Sequence, residues 1–549
     1  MNKNEKLDGL TYAKMVSAGA ANLQAHAQEI NDLNVFPIPD GDTGDNMLLT
    51  MMGGVIPEDK AAESLADTAK QVSDGMLLSA RGNSGVILSQ FFEGMNDGFS
   101  GLDYADTDAV ASAFKGGVSQ AYKAVMEPAE GTILTVIREA TEYACGKQCK
   151  TPIEFMDAFM EEAKRSLERT PELLPVLKKA GVVDSGGAGI IYIIDGMMRA
   201  LCGESMALGI KDQTEKNEID LDAFTSESTL EFGYCTEILL RLQSSKTDVE
   251  SFDETVIKDY LHSIGDSIVT VKSKSAVKIH VHTMTPYKVL EFCQQFGEYL
   301  TVKIENMSLQ HNSSRFSEEQ EAEKAPVERK KFAVVAVAAG EGVKQMFLDR
   351  GADFIVDGGQ SMNPSAEAFL EAFDAVSAET IFVLPNNSNI ILTAIQAAKL
   401  YERSDVRVIE SRTVGQGYAS ISMLDTSSGD TDTIVQDLTS AMEGVLTAEI
   451  AKCVRDVDTD EMKLRVGEYI GFVGKDILAS GSDRSEVAKS TVDALDLKNH
   501  DICIVICGKE ATERDAAEIE KYITSHYRGK EVYVIDGGQD IYDFIMIVE

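Results

Sequence analysis

No run in this 549-residue sequence reaches the roughly 18 to 20 consecutive apolar residues that a membrane span needs, so no stable membrane insertion is expected. The opening residues, MNKNEKLDGLTYAKM, hold no apolar core of an export signal, and a cytoplasmic protein is expected. Basic residues are scarce: 51 Lys and Arg stand against 90 Asp and Glu, for a net charge of -39. That excess repels DNA, RNA and anionic lipid, so no nucleic-acid partner is expected. The eight cysteines form no C-x-x-C pair and no dense framework, which excludes a disulfide scaffold and suits a reduced compartment. Cys145 and Cys149 read as a helix face or loop, and Cys503 and Cys507 as a buried strand. The sequence also lacks Gly-x-x-x-x-Gly-Lys-[Ser/Thr], so a P-loop is excluded; Gly471 to Lys475 has neither the spacing nor the hydroxyl.

What the sequence does hold is a dense acidic motif. Asp40, Asp42 and Asp45, in Asp-Gly-Asp-Thr-Gly-Asp followed by Asn46, put three carboxylates on one short segment. Like charges that close repel, and a hard divalent cation such as Mg²⁺ relieves them while bridging to phosphate. The glycines are expected to allow positive-φ turns that gather the three side chains. An EF-hand fails on spacing, because the invariant glycine position would hold Asp45 and the closing Glu position Met51. An acidic turn that merely caps the following helix is the other reading.

At this length about three or four domains are expected. Residues 8–205 read as all-α: Leu10, Ala13, Val16, Ala20, Leu23, Ala27 and Ile30 recur at steps of three and four, and further helical segments lie near 62–80, 84–96, 105–126, 132–145, 152–169 and 186–202. A polar stretch at 211–229 precedes a middle α+β region, 226–312, with strands near 234–242, 267–271 and 277–282. The charged segment 316–331 reads as a linker. Residues 332–549 alternate strands and helices, as in an α/β fold, with strands expected at 332–339, 353–357, 380–385, 406–410, 502–507 and 531–535. Within them, Phe354 to Gln360 (FIVDGGQ) is echoed by Tyr533 to Gln539 (YVIDGGQ), each after a strand and a helix, which predicts an internal duplication.

Three more small-residue turns open helices in the first region: Ser79 to Gly85 with Asn83 and Ser84, Glu130 to Thr132, and Asp184 to Gly189 with Gly186. Unpaired N–H groups and the positive dipole end make helix starts attractive to phosphate. Singly, each reads as an ordinary cap; four in one helical region, one of them triply acidic, are much less ordinary. No acid–base dyad stands near the acidic motif, and His26 reads as ordinary helix surface or core.

These motifs carry a resemblance. Pro39 to Met47, Ala80 to Gln90 and Asp184 to Gly187 resemble the nucleotide-binding helical domain of dihydroxyacetone kinases over about residues 8–202, and the three-part layout resembles the ATP-binding subunit of bacterial fatty-acid kinase. The resemblance implies a helical barrel in which Asp40, Asp42 and Asp45 hold two Mg²⁺ on ATP, with Thr43, Asn46, Asn83, Ser84, Thr132, Asp184 and Gly186 around the nucleotide. It implies transfer to a fatty acid carried by a separate lipid-binding protein, giving an acyl phosphate, and a dimer through the middle region. In many sugar-kinase relatives a metal carboxylate lies at the position of Val35; this chain has Asp45 instead. A fatty-acid carboxylate is already ionised near neutral pH and needs no general base. A dihydroxyacetone-type polyol kinase and a non-catalytic nucleotide-sensing scaffold are the competing readings.

In the middle region, His280 and His282 alternate on one strand, with Cys235 and Glu237 on another. Two His and one Cys can bind Zn²⁺, with water or Glu237 as the fourth ligand; two surface histidines and a buried cysteine are the alternative. In the fatty-acid-kinase resemblance, the matching Cys and His look like a metal site. Residues 332–549 are expected to dock the lipid carrier.

Overall fold

The computed structural model describes residues 6–34, 42–57, 60–204, 206, 234–243, 245–249, 252, 255–262, 264–273, 276–306, 329–359, 363–458, 463–495 and 497–549. The chain divides into two compact units: Met1–Ile210 together with Arg329–Glu549, and Lys211–Glu328. The first and third regions of the sequence thus form one unit.

The first region is helical where its periodicity predicts. α1 (Gly9–Asp32) starts where the Asp8 carboxylate accepts from Thr11 N at 2.8 Å, and it buries Ala13, Val16, Ala20, Leu23, Ala27 and Ile30. Leu10, counted on the same stripe, is in the first turn and stays 39% exposed. α2 (Thr43–Gly53), α3 (Leu65–Ser79), α4 (Gly82–Phe99), α5 (Thr107–Ala124), α6 (Ile133–Gly146), α7 (Pro152–Leu173), the short α8 (Pro175–Ala180) and α9 (Ser185–Leu201) follow. Two-residue strands β1 (Leu7–Asp8) and β2 (Tyr104–Ala105) pair antiparallel beside them. Caps explain several helix starts: Asp106 opens α5, and Thr151 opens α7 with Pro152 in its first turn, where a missing N–H costs nothing. One continuous core joins every helix but α8, and α9 packs back along α1. Phe114 anchors it, its ring centroid 5.2 Å from both Phe155 and Phe159 in edge-on contact.

The second unit is a four-stranded antiparallel sheet, with strands β3 (Tyr234–Leu242), β4 (Gly265–Ser273), β5 (Ala276–Thr283) and β6 (Gly297–Asn306) in the order β4-β5-β3-β6. Helices α10 (Thr255–His262) and α11 (Pro286–Cys293) bury Ile257, Leu261, Val289 and Cys293 against Ile238, Leu240, Ile279 and Val281 of one sheet face. The polar stretches 211–229 and 316–328 lie outside the described residues; the expected linker ends early, because Lys330 already opens a strand.

The C-terminal region has two larger sheets. β7 (Lys330–Ala338), β8 (Phe354–Asp357), β9 (Ala378–Leu384) and β10 (Asp405–Val408) make an all-parallel sheet in the order β10-β9-β7-β8. β7 reads as a continuous apolar run because both its faces are covered: Val334, Ala336 and Ala338 enter one core, Ala333, Val335 and Val337 another. The second sheet is mixed and uses β11 (Leu446–Lys452), β14 (Tyr469–Val473), β15 (Asp476–Gly481), β16 (Ile502–Cys507), β17 (Glu531–Asp536) and β18 (Tyr542–Val548), in the order β15-β14-β11-β18-β16-β17. Between β11 and β14, the two-residue strands β12 (Val457–Asp458) and β13 (Lys463–Leu464) pair with each other. Of the mixed sheet, sequence reasoning finds β16 and β17 and misses the other four strands. β18 is buried at every position and so has no alternation to read. The FIVDGGQ echo marks a shared β–α–β unit, β7 to β8 and β16 to β17, each with parallel strands; around it the sheets differ.

Candidate active site

Asp42 is the N-cap residue of α2, yet its side chain makes no capping bond. Its carboxylate accepts instead from Nδ2 of Asn363, on the loop that leads into the C-terminal helix Ala366–Val376. Capping therefore does not account for this acid. Asp45 is in the first turn of α2, where Asn31 Nδ2 donates to its Oδ2 at 2.9 Å and Asn31 Oδ1 accepts from Gly44 N at 2.7 Å. The segment expected as a positive-φ turn is, from Thr43 onward, already helix. Gly44 has an ordinary helical backbone and serves close packing: a Cβ there would stand 2.2 Å from Ala27 O of α1. Asp40 and Gly41 lie outside the described residues.

The other turns converge on this helix start. Gly82 (φ 58°) opens α4 where a Cβ would meet Asn46 Nδ2 at 2.5 Å, so the Asn83–Ser84 turn lies directly against α2. Asn83 Nδ2 reaches Asn389 Oδ1 at 3.3 Å, and Arg81 Nη1 reaches Asn363 O at 3.2 Å, both in the C-terminal region. Burial lowers the pKa of the Arg81 guanidinium. On the opposite side, Thr43 Oγ1 donates to Asn34 Oδ1 at 3.0 Å, and Ser185 Oγ donates to the same oxygen at 3.3 Å. Asp184 Oδ2 caps α9 through Gly187 N at 2.7 Å, and the backbone N–H groups of Gly186 and of Ile133, the first residue of α6, also favour its charged form. The Asp184 carboxylate thus sits where two helices start, capping α9 itself while Thr132 caps α6. Burial pushes the Asp184 carboxyl up to about 6, against the pull of those backbone donors. Glu130 is committed elsewhere: Thr135 Oγ1 donates to it at 2.6 Å and Arg138 pairs with it at 2.8 Å, holding its carboxyl below the usual range.

Three buried amide atoms in this constellation have no hydrogen-bond partner: Asn34 Nδ2, Asn83 Oδ1 and Asn363 Oδ1. Buried polar atoms are normally paired, and an orphan costs about 1–3 kcal/mol. Orphaned donors and acceptors around a carboxylate helix start fit a polar ligand. The side chains are carboxylates, amides and hydroxyls, the set a hard cation with phosphate oxygens prefers. Among the described residues no group of three His, Cys, Asp or Glu could hold a metal. Sequence reasoning missed Asn31, Asn34 and Asn363. The first two stand at the end of α1 just ahead of the acidic motif; the third is 321 residues from Asp42 and gives no local signal.

Comparison with known proteins gives three family matches along the chain. Residues 37–199 match the DAK2 domain, 231–314 the middle domain of FakA-like fatty acid kinase proteins, and 333–549 the FakA-like C-terminal domain. Protein YloV of Bacillus subtilis is 37% identical over 553 residues, covering 99% of each chain. An uncharacterized protein of Staphylococcus saprophyticus is 35% identical, covering 99% of this chain and all of its own. The chain belongs to the FakA-like fatty acid kinase family. Among solved structures, a hypothetical protein from Thermotoga maritima, described as revealing fatty acid binding function, aligns at TM-score 0.31 and 11% identity, over 40% of this chain and 99% of its own. The fatty acid kinase B3 protein of Streptococcus pneumoniae loaded with linoleic acid aligns over the same shares at TM-score 0.29 and 9% identity. At those scores the likeness says nothing further about this chain.

Two other features singled out in the sequence of this FakA-like chain have a place in the fold. In the middle unit, Cys235 is directly opposite His282, and Glu237 opposite His280, in the β3–β5 register. Alternation puts these four positions on the sheet face away from buried Thr236, Ile238, Ile279 and Val281. Their side chains lie outside the described residues. In the C-terminal region, a cavity of about 60 Å³ opens between the two echoed turns, lined by Gly358 and Gly359 of one and Gln539 of the other. Gln539 is buried, and its Oε1 has no partner. Among the described residues no helix is long and apolar enough to cross a membrane.

Proposed function

We propose that this chain is the ATP-binding component of a fatty acid kinase, transferring the γ-phosphoryl group of ATP to the carboxylate of a fatty acid presented by a separate lipid-binding protein. The observation that carries this reading is Asp42: a helix-start carboxylate not spent on capping, bonded to Asn363, in a constellation where amide atoms of Asn34, Asn83 and Asn363 are orphaned. Asp40, Asp42 and Asp45 would hold Mg²⁺. Thr43, Asn46, Asn83, Ser84, Thr132 and Gly186 would line the nucleotide, and Asp184 would keep the α6 and α9 starts in place. When bound, Mg²⁺ neutralises phosphate charge and aligns the phosphoryl group. The protein need not supply a base, because the acyl carboxylate arrives ionised. His26, stacked 4.0 Å from the Tyr192 ring and bonded to Asn22 O at 2.8 Å, is engaged in structure.

The middle domain is proposed to bind one Zn²⁺ through Cys235, His280 and His282 and to form the homodimer contact. The β3–β5 register supports a common face for the three ligands. Residues 332–549 are proposed to dock the lipid carrier. The test is direct: incubate the protein with ATP, Mg²⁺ and a fatty-acid-loaded carrier protein from the same cell, and trap acyl phosphate with hydroxylamine. ADP release with free dihydroxyacetone and no carrier would instead support a polyol kinase, for which the DAK2 match alone would also serve. Nucleotide binding without turnover of either acceptor would support a sensing scaffold.

A further inference from the structure

In the parallel sheet β7 and β9 are neighbours, yet the chain leaves them towards opposite faces. After β7, the helix Glu341–Asp349 packs Val343, Met346 and Phe347 into the core that holds Val334, Ala336 and Ala338. After β9, the helix Ile391–Leu400 packs Ala394 and Ala397 on the other face, with Ala333, Val335 and Val337. Open α/β sheets form a crevice at such a point, outside the carboxyl ends of the two strands, and ligands bind there. The cavity of about 60 Å³ lies in that crevice: Ala338 and Ala339 border it after β7, and Pro385, Asn386 and Asn387 after β9. Its rim is held in an unusual shape. Asn386 has a left-handed backbone (φ 57°), a conformation few non-glycine residues adopt. Its Nδ2 donates to Val337 O at 2.8 Å, and its Oδ1 accepts from Ser411 Oγ at 2.8 Å.

The lining decides what fits. Val343, Ile390, Val414, Ile541 and Ile545 give the cavity an apolar wall. The charged side chains among its described lining residues are both acids, Glu449 and Asp540. Each has a partner of its own, Lys509 Nζ standing 3.9 Å from Asp540. Gln539 also lines the cavity and is 5% exposed; its Nε2 donates to Ile506 O at 3.3 Å and to Tyr542 O at 3.2 Å. Carbonyls only accept, so these two fix the orientation of the amide and leave Oε1, which has no partner, as an acceptor. Apolar walls and acceptors, with no cation among them, disfavour an anion and suit a molecule that brings its own donor. The volume is room for roughly four to six waters, and so for a ligand of about as many non-hydrogen atoms. We infer that the crevice between β7 and β9 is a ligand site of the C-terminal region, for a small neutral or cationic molecule with an apolar body and an O–H or N–H donor. The site uses none of the residues around Asp42, so the kinase reading can fail without touching it.

The test is saturation-transfer NMR on the full-length chain with n-butanol, n-butylamine and butyrate, each at roughly 10 mM, a concentration suited to millimolar affinity. The three share a short aliphatic chain and differ in the head group. Either n-butanol or n-butylamine, or both, should receive saturation, and butyrate should receive much less. Val414 is a half-buried wall residue, and Val414→Phe should fill the space and weaken binding by on the order of tenfold. Gln539→Leu, which removes the acceptor, should weaken it as well. If Val414→Phe does not fold, Ile541→Phe fills the cavity from another half-buried wall position. Val454→Phe, at a position 50% exposed in the same region, should leave binding within about twofold. No transfer to any of the three in wild type would mean a cavity that holds water only, and overturns the inference. Transfer that survives both the cavity-filling variant and Gln539→Leu places the binding elsewhere and overturns it too. Butyrate bound as well as the other two overturns the ligand class.

Discussion

Asn31 holds the first turn of α2 with both ends of one amide: its Nδ2 donates to the Asp45 carboxylate at 2.9 Å while its Oδ1 accepts from Gly44 N at 2.7 Å. The last turns of α1 therefore set where the first turn of α2 presents its acid. Asp42, three residues earlier, is held from a different direction by Asn363.

Asp42→Ala should abolish measurable phosphoryl transfer while the fold survives. The substitution removes a like charge near Asp45 and also the acceptor for Asn363, effects of opposite sign and each about 1 kcal/mol. The melting temperature without ligand should then move by no more than a few degrees. Mg·ATP should raise the melting temperature of the wild type and raise that of the variant much less. Equal ligand-induced shifts in the two proteins would remove Asp42 from the metal set.

Gly44→Ala should destabilise the protein by roughly 1–3 kcal/mol, because the new methyl would stand 2.2 Å from the Ala27 carbonyl oxygen, which is backbone and cannot rotate aside. Gly146→Ala is the matched control: a Cβ there meets nothing within 4 Å, and it should be neutral or slightly stabilising. Thermal melts of the two variants beside wild type check the difference; similar melting points would mean that α2 is not packed on α1 as described.

Asp184 should leave a pH signature. Its folded carboxyl is raised by burial to about 6, above the ordinary 3.8. A raised acid contributes stability that is fully present below its unfolded value and lost as pH climbs through the folded one, with a total of about 3 kcal/mol. Asp184→Asn cannot ionise, so its stability relative to wild type should improve by roughly 1 kcal/mol from pH 5 to about pH 7 and then flatten. The constant offset reports how well an amide replaces the carboxylate as a cap; the pH dependence reports the buried charge. Urea denaturation at several pH values measures both, and parallel curves would rule out the raised carboxyl.

Protein purified without added metal should carry close to one zinc per chain by elemental analysis, lost in His282→Ala. Metal-free, fully active wild type would leave Cys235, His280 and His282 as ordinary middle-domain residues.

Much of the helical region was legible in the sequence because its signals are local. Ala20, Leu23, Ala27 and Ile30 mark a face by spacing alone, and Asp8, Asp106, Thr151 and Asp184 cap the helices that follow them within three residues. The small-residue turns could be recognised for the same reason. β18 could not: Tyr542 to Val548 is buried throughout, and one of its partners is β11, where Leu446 pairs with Val548 about a hundred residues on.

What the sequence by itself determined is most of the helices of the first region, roughly where they start, and that acids and small residues gather at those starts, since capping and periodicity act over a few residues along the chain. Only the tertiary structure decided what each acid does. Asp184 caps α9 where the start of α6 lies beside it; Asp45 is held by the preceding helix; and Asp42 makes no capping bond but faces an asparagine 321 residues along the chain. Those roles depend on contacts between segments, whose directions no local pattern encodes.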